Sequence, residues 1–216
     1  GGENMAVDLG KMADLLIAGK VEDVSNMTQE AIDEGMKPQE ILQNGLIAGM
    51  DVVGQRFKAC EMFIPEVLRS AKAMSAGMDK LRPLLSESEA KAAGTMVIGT
   101  VKGDLHDIGK NLVAMMFEGA GFKVVNLGID LDTQVFVDAV KEHKPDLLGM
   151  SALLTTTMPR MGEVVNALKE AGIRDQVKVM VGGAPVTEEF TKEIGADIYG
   201  ANAASSVEKG REAVGK

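Results

Sequence analysis

From residue 5 to about residue 85 the apolar positions recur at the three- and four-residue spacing of a helix face, as in Leu9, Met12, Leu15 and Leu16 and again in Ile41, Leu42, Leu46, Met50, Val53 and Phe57. No strand-like alternation interrupts them. Breaks fall at Ala18-Gly19-Lys20, at Glu34-Gly35-Met36-Lys37-Pro38, where Pro38 suits a first helical position, and at Cys60-Glu61-Met62 ahead of Ile64-Pro65. The pattern predicts four helices. Gly45 and Gly49 lie inside the third of them, where each costs about 1 kcal/mol of helix propensity relative to alanine. Close approach of a neighbouring helix is the expected compensation.

A polar stretch over 86–94 (SESEAKAAG) reads as a linker. Beyond it the period changes. Short β-rich runs over 95–101 (TMVIGTV), 122–128 (FKVVNLG), 146–152 (DLLGMSA) and 177–183 (VKVMVGG), with a weaker DIYG at 197–200, are separated by helical stretches. A repeated strand–helix alternation with apolar strands predicts a five-stranded parallel sheet covered on both faces. The fold expected is α/β, Rossmann-like and flavodoxin-like, preceded by a four-helix bundle, with domains over 1–88 and 89–216. For a 2-1-3-4-5 strand order the ligand crevice opens at the carboxyl ends of strands one and three.

Composition narrows the function classes. With 216 residues and 45 % apolar content the chain can bury a core in each half. Its net charge of −9 and pI near 4.8 work against non-specific binding to nucleic acid or to an anionic membrane. No apolar run reaches the ~18 residues of a membrane span, and the N-terminus lacks the basic-then-apolar order of a signal peptide, so a soluble cytoplasmic protein is expected. The single cysteine, Cys60, excludes an intrachain disulfide and a cysteine-cluster metal site. The fifteen methionines read as flexible core filler.

One stretch carries candidate chemistry. Residues 101–110 read VKGDLHDIGK, in which Asp104, His106 and Gly109 form D-x-H-x-x-G between the first strand and the next helix. Asp104 could simply cap that helix, leaving His106 as a solvated bystander. Alternatively, an imidazole that donates one nitrogen to a carboxylate is oriented, and its other nitrogen is free to bind a metal. The only other histidine, His143, falls in the turn before the third strand, at the opposite edge of the sheet, so it cannot share a metal with His106. One protein ligand implies a metal that arrives already chelated.

D-L-H-D-I-G after the first strand, S-A-L-L-T (151–155) after the third and V-G-G-A-P (181–185) after the fourth together resemble the corrinoid (vitamin B12) binding domains of methionine synthase, the mutases and the methanol and methylamine corrinoid proteins. The stretch GMDVVGQRFKACEMFIPEVLRSAKAM (49–74) is similar to the helical cap of the methyl-transferring branch, so the resemblance covers almost the whole chain. Within that branch, length and layout resemble most the free-standing corrinoid proteins that serve a separate methyltransferase.

The resemblance implies cobalamin or a related corrinoid bound base-off/His-on, with His106 as the lower axial cobalt ligand and Asp104 and Ser151 relaying hydrogen bonds behind it. It further implies Gly109 beside the nucleotide tail, Leu153 and Thr155 along the slot for the displaced base, and Gly182 and Gly183 where that tail passes. Gly103, Asp107 and Ile108 would flank the entrance, Tyr199, Gly200 and Ala201 would be more distant walls, and Phe57, Ile64 and Val67 would cover the upper corrin face. By the same resemblance the protein is a methyl carrier cycling between Co(I) and methyl-Co(III), with no complete active site of its own. The partners implied are a substrate-specific methyltransferase, a second methyltransferase acting on tetrahydrofolate or a thiol, and a reductive activator. A cobalamin-binding sensor is the rival reading; it needs an output module, and no basic recognition helix is visible. A receiver-like phosphorylation domain would need an acidic pair after the first strand and a lysine after the fifth, and neither is evident.

Overall fold

The computed structural model describes residues 7–85 and 93–215, which fall into two compact units. The expected linker over 86–94 lies, as far as residue 92, outside the described residues, and so does the expected boundary between 88 and 89.

The described residues of the first unit form helices joined by short turns. Its elements are α1 (Leu9–Ile17), α2 (Val21–Asp33), α3 (residues 38–58) and α4 (Ile64–Leu81), the last followed by a 3₁₀ turn at Arg82–Leu84. The expected breaks are where the helices end. Asp8 caps α1 by accepting the Gly10 N–H at 2.8 Å, Pro38 opens α3, and the Glu66 carboxylate accepts the Phe63 N–H at 2.9 Å ahead of α4. Met12, Leu16, Val24, Ile41, Leu46, Val53, Val67, Met74 and Leu81 form the buried stripes.

The two glycines of α3 face α1. A Cβ on Gly45 would lie 2.7 Å from the Met12 sulfur, and one on Gly49 would lie 3.1 Å from both the Ala13 carbonyl oxygen and Leu16 Cδ2. Close packing of α1 is therefore what compensates their low helix propensity. One feature the periodicity did not foretell is that residues Ile41–Ile47 of α3 are wound as π-helix, a local widening that keeps Ile41, Leu42, Leu46 and Ile47 all buried.

The second unit contains a five-stranded parallel sheet in the order β2-β1-β3-β4-β5, formed by β1 (Thr95–Thr100), β2 (Lys123–Asn126), β3 (Leu147–Ser151), β4 (Lys178–Gly182) and β5 (Ile198–Gly200). The helices are α5 (Ile108–Gly119), α6 (Thr133–His143), α7 (Pro159–Glu170), the short α8 (Glu188–Glu193) and α9 (Ala203–Ala213). This is the Rossmann-like doubly wound fold expected. All six residues of β1 are buried, as a central strand covered on both faces requires. One covered face packs Val97, Leu148, Val179 and Val181 against Phe136, Val140, Met161 and Val165 of α6 and α7.

The register aligns the carboxyl ends. Thr100 pairs with Ser151, Ser151 with Gly182 and Gly182 with Gly200, so four strands stop in one row. The ends of these strands, the loops that leave them and the start of α5 contain the sequence-predicted site residues of this unit.

Because the Ala13 backbone stands in the way, Gly49→Ala should lose stability despite gaining helix propensity. A cost of about 1 kcal/mol in urea unfolding is expected, where propensity alone predicts a gain of similar size.

Candidate functional site

The site is built outward from one carboxylate. Asp104 is in the β1–α5 loop and is fully buried, with 0 % of its surface exposed. A carboxylate removed from water needs a donor at each lone pair, and this one has four. Its Oδ1 accepts the His106 backbone N–H at 3.1 Å and faces His106 Nδ1 at 2.7 Å. Its Oδ2 accepts the Leu153 N–H and the Thr157 hydroxyl, each at 2.7 Å. Burial by itself would raise the Asp104 pKa, but the bonds from Leu153, Thr157 and both groups of His106 outweigh it and hold the carboxyl well below the usual carboxylate range. Asp104 is therefore an anion at neutral pH.

That anion fixes the imidazole. With Nδ1 turned to a permanent carboxylate, the proton belongs on Nδ1 and the lone pair on Nε2. The His106 side chain is 50 % exposed, so it bridges a buried charge and the surface. Nε2 has no hydrogen-bond partner among the described residues.

The loop itself is closely tied. Gly103, at φ +83°, donates its N–H to Asp130 Oδ1 at 2.9 Å, and Asp130 in turn donates its N–H to the Asp104 carbonyl oxygen at 3.1 Å. The Gly103 bond, with Lys102 3.5 Å away, draws the Asp130 pKa down. Thr100 donates its hydroxyl to the His106 carbonyl oxygen at 3.0 Å.

Around His106 the surface is unusually apolar. Leu105 is 67 % and Ile108 75 % exposed, and Leu153 and Leu154 from the β3–α7 loop are exposed as well. Four large aliphatic side chains on loops leaving the same sheet edge lose hydrophobic free energy unless something covers them. Gly109 adds room, since a Cβ there would meet nothing within 4 Å and its helical backbone asks for no glycine. Among the described residues no three His, Cys, Asp or Glu side chains stand close enough to hold a metal ion. A large, flat, mostly apolar group carrying a metal that lacks one axial donor fits these residues.

The structure brings together Gly103, Asp104, His106, Asp107, Ile108, Gly109, Ser151, Leu153, Thr155, Gly182, Gly183, Tyr199, Gly200 and Ala201 along the carboxyl edge of one sheet. Some play parts other than those expected. Behind His106, where Asp104 and Ser151 are the residues expected, the hydroxyl bonded to Asp104 Oδ2 is that of Thr157. Thr157 is also within 3.0 Å of the Leu154 carbonyl oxygen, but its single proton serves the charged acceptor better. The Thr155-Thr156-Thr157 run offered three hydroxyls to the sequence, and only the structure singles out Thr157 as the buried one.

Gly183 is glycine for an internal reason. Its φ is +131°, and a Cβ would overlap the Ala152 carbonyl oxygen. A Cβ on Gly182 would lie 2.9 Å from the Gly200 carbonyl oxygen, and one on Gly200 would overlap the Ser206 hydroxyl. These glycines close strand ends and need no passing ligand to explain them. In the helical unit Val67 is fully buried, so as a core residue it has no surface for a ligand; Phe57 is half-buried and Ile64 exposed. The exposed Phe63 beside Ile64 was missed.

Replacing Asp104 by asparagine should cost about 2 kcal/mol at neutral pH, because charge-assisted bonds are lost and an amide N–H₂ is turned toward donors. Asp104 has a lowered folded-state pKa, so its contribution is complete above the unfolded value near 4 and fades as pH falls toward the folded one. The gap between wild type and Asp104→Asn in urea midpoints should therefore narrow below about pH 4.

Comparison with known proteins gives the family. A family model described as a B12 binding domain matches residues 94–208, and a second of the same description matches residues 9–82. The chain is 46 % identical to trimethylamine corrinoid protein 1 of Methanosarcina acetivorans over 205 residues, 94 % of this chain and 95 % of that one. It is 43 % identical to the dimethylamine corrinoid protein of Methanosarcina barkeri over 205 residues, 94 % and 96 % of the two chains. Among solved structures, a chain of the methanol:cobalamin methyltransferase complex from Methanosarcina barkeri superposes with a TM-score of 0.88 at 30 % identity, over 99 % of this chain and 81 % of the other. Among the described residues no helix is long and apolar enough to cross a membrane. Both halves of the chain thus match the same cofactor family, and this protein belongs to the B12-binding corrinoid proteins.

Proposed function

We propose that the protein is a methyl carrier that holds a corrinoid at the carboxyl edge of its sheet, base-off and His-on, with His106 Nε2 as the lower axial donor to cobalt. The observation that carries this reading is the free Nε2 of a half-exposed imidazole whose other nitrogen is committed to a buried carboxylate. The bound corrinoid supplies a cobalt centre able to take up a methyl group and give it away.

The chain's own residues do the rest. Asp104 fixes the tautomer and orientation of His106 and pushes electron density toward Nε2. Leu105, Ile108, Leu153 and Leu154 offer apolar contact to the macrocycle, and Gly109 leaves space beside it. Thr155 and Leu153 would line the slot for the displaced base, with Gly182, Gly183, Tyr199, Gly200 and Ala201 as its walls. Nε2 has one lone pair, so a metal and a proton would exclude one another at that atom.

The donor we favour is a methylated amine, supported by the methylamine corrinoid proteins among the relatives. A substrate-specific methyltransferase would load the carrier, a partner of the kind in the methanol:cobalamin methyltransferase complex. A second methyltransferase, with tetrahydrofolate or a thiol as acceptor, would unload it, and a reductive activator would recover oxidised protein.

Protein reconstituted with hydroxocobalamin should be orange-red and, once reduced to Co(II), should show one histidine nitrogen on cobalt in its electron-spin spectrum. His106→Gly should lose that nitrogen, and Asp104→Asn should weaken corrinoid retention by about 10- to 100-fold. Retention of the cofactor's own base on the metal in wild type would refute the ligand assignment. Labelled methyl from trimethylamine, given the cognate methyltransferase, should pass through the protein-bound cofactor; a label that never enters it would favour the sensor reading.

A further inference from the structure

His106 is held at three points, and they do not constrain the same thing. Its N–H and its Nδ1 both go to one atom, Oδ1 of Asp104, two residues earlier. Those bonds fix the ring to the carboxylate. That carboxylate is docked on the loop after β3 through Leu153 and Thr157, but none of these bonds holds the His106 carbonyl group. The third bond comes from outside the loop, where Thr100, the last residue of β1, donates its hydroxyl to the His106 carbonyl oxygen at 3.0 Å.

Thr100 is itself immobilised. It is fully buried and paired with Ser151 in the central row of strand ends. Its N–H donates to the Gly128 carbonyl oxygen at 3.0 Å, and its carbonyl oxygen accepts the Leu131 N–H at 3.1 Å. Gly128 is fixed in turn, because its N–H donates to Asn126 Oδ1 at 3.1 Å, an oxygen that also accepts the Lys110 ammonium at 2.7 Å. Lys110 is only 4 % exposed, and it donates to Asn111 Oδ1 at 2.7 Å as well. A buried cation on α5 thus pins the loop after β2, that loop pins the end of β1, and the end of β1 holds the histidine backbone.

We infer that Thr100 is a positioning residue for His106: its hydroxyl fixes the histidine main chain to the sheet, so that Nε2 returns to one place whenever the axial bond is remade. The β-branched side chain has few rotamers, so the donor is aimed before the loop closes over it. This inference rests on the reading of His106 as the cobalt ligand.

The test uses the full chain, both cofactor-free and reconstituted with hydroxocobalamin and reduced to Co(II). Thr100→Val removes the donor and keeps the shape, Thr100→Ser keeps the donor, and Thr100→Ala serves where the valine variant does not fold. One measurement is the ratio of histidine-bound to histidine-free cobalt, read from nitrogen splitting with ¹⁴N- and ¹⁵N-histidine. The other is amide hydrogen exchange at Asp104 and His106 in the cofactor-free protein.

The ratio should fall about three- to tenfold in the valine or alanine variant, exchange should quicken by a similar factor, and serine should restore both to within about twofold. Lys110→Met should shift both in the same direction by less. An unchanged ratio and unchanged exchange in Thr100→Val, whatever its melting temperature, overturn the inference while the ligand assignment stands. A wild-type spectrum without histidine nitrogen overturns the assignment, and this inference with it.

Discussion

Everything at the sheet edge depends on an ionised carboxylate with no contact with water. Asp104 is buried at a cost of several kcal/mol unless its lone pairs are filled, and the fold fills them from two different loops. Its own loop supplies the His106 N–H and imidazole; the loop after β3 supplies the Leu153 N–H and the Thr157 hydroxyl. The bonds that settle the charge are therefore the bonds that dock the loops leaving β1 and β3. These are the strands that flank the point where the order of the sheet reverses.

The topology makes this possible because the strands end level. With Thr100, Ser151, Gly182 and Gly200 in one row, a side chain four residues past β1 can meet an amide two residues past β3 without strain in either loop. Level ends also crowd the backbones. That is why Gly183 must take a left-handed conformation against the Ala152 carbonyl group, and why a glycine pair at the end of β4 is needed even in the bare protein. Sequence motif and packing requirement coincide there, and the structural reason is sufficient.

Periodicity gave both architectures: four helices with the right breaks, then five strands in the right places, since long amphipathic runs and buried parallel strands write their pattern directly into hydrophobic order. The Asp104–His106 pair was legible because donor and acceptor are two residues apart. Thr157 was not, because nothing in a run of three threonines says which one turns inward; that is decided by the path of the loop between Leu153 and Pro159. The same limit explains the π-turn in α3, which answers to the packing of α1 and not to local propensity. Val67 was misplaced for a related reason: apolar residues at helical spacing look alike whether they face a core or a ligand, and only burial separates them.

The exposed leucines and isoleucine show how the site divides its labour. Polar satisfaction is complete inside, around Asp104, so the charge and the tautomer need nothing from a ligand. Apolar satisfaction is incomplete outside, at Leu105, Ile108, Leu153 and Leu154, so the surface gains by being covered. A donor atom prepared in advance loses little freedom when it binds, and an uncovered apolar rim adds affinity that is indifferent to the oxidation state of a metal. If Nε2 is the metal donor, retention would rest on the rim more than on that one bond, which is what a carrier that must pass its cargo on without losing its cofactor requires.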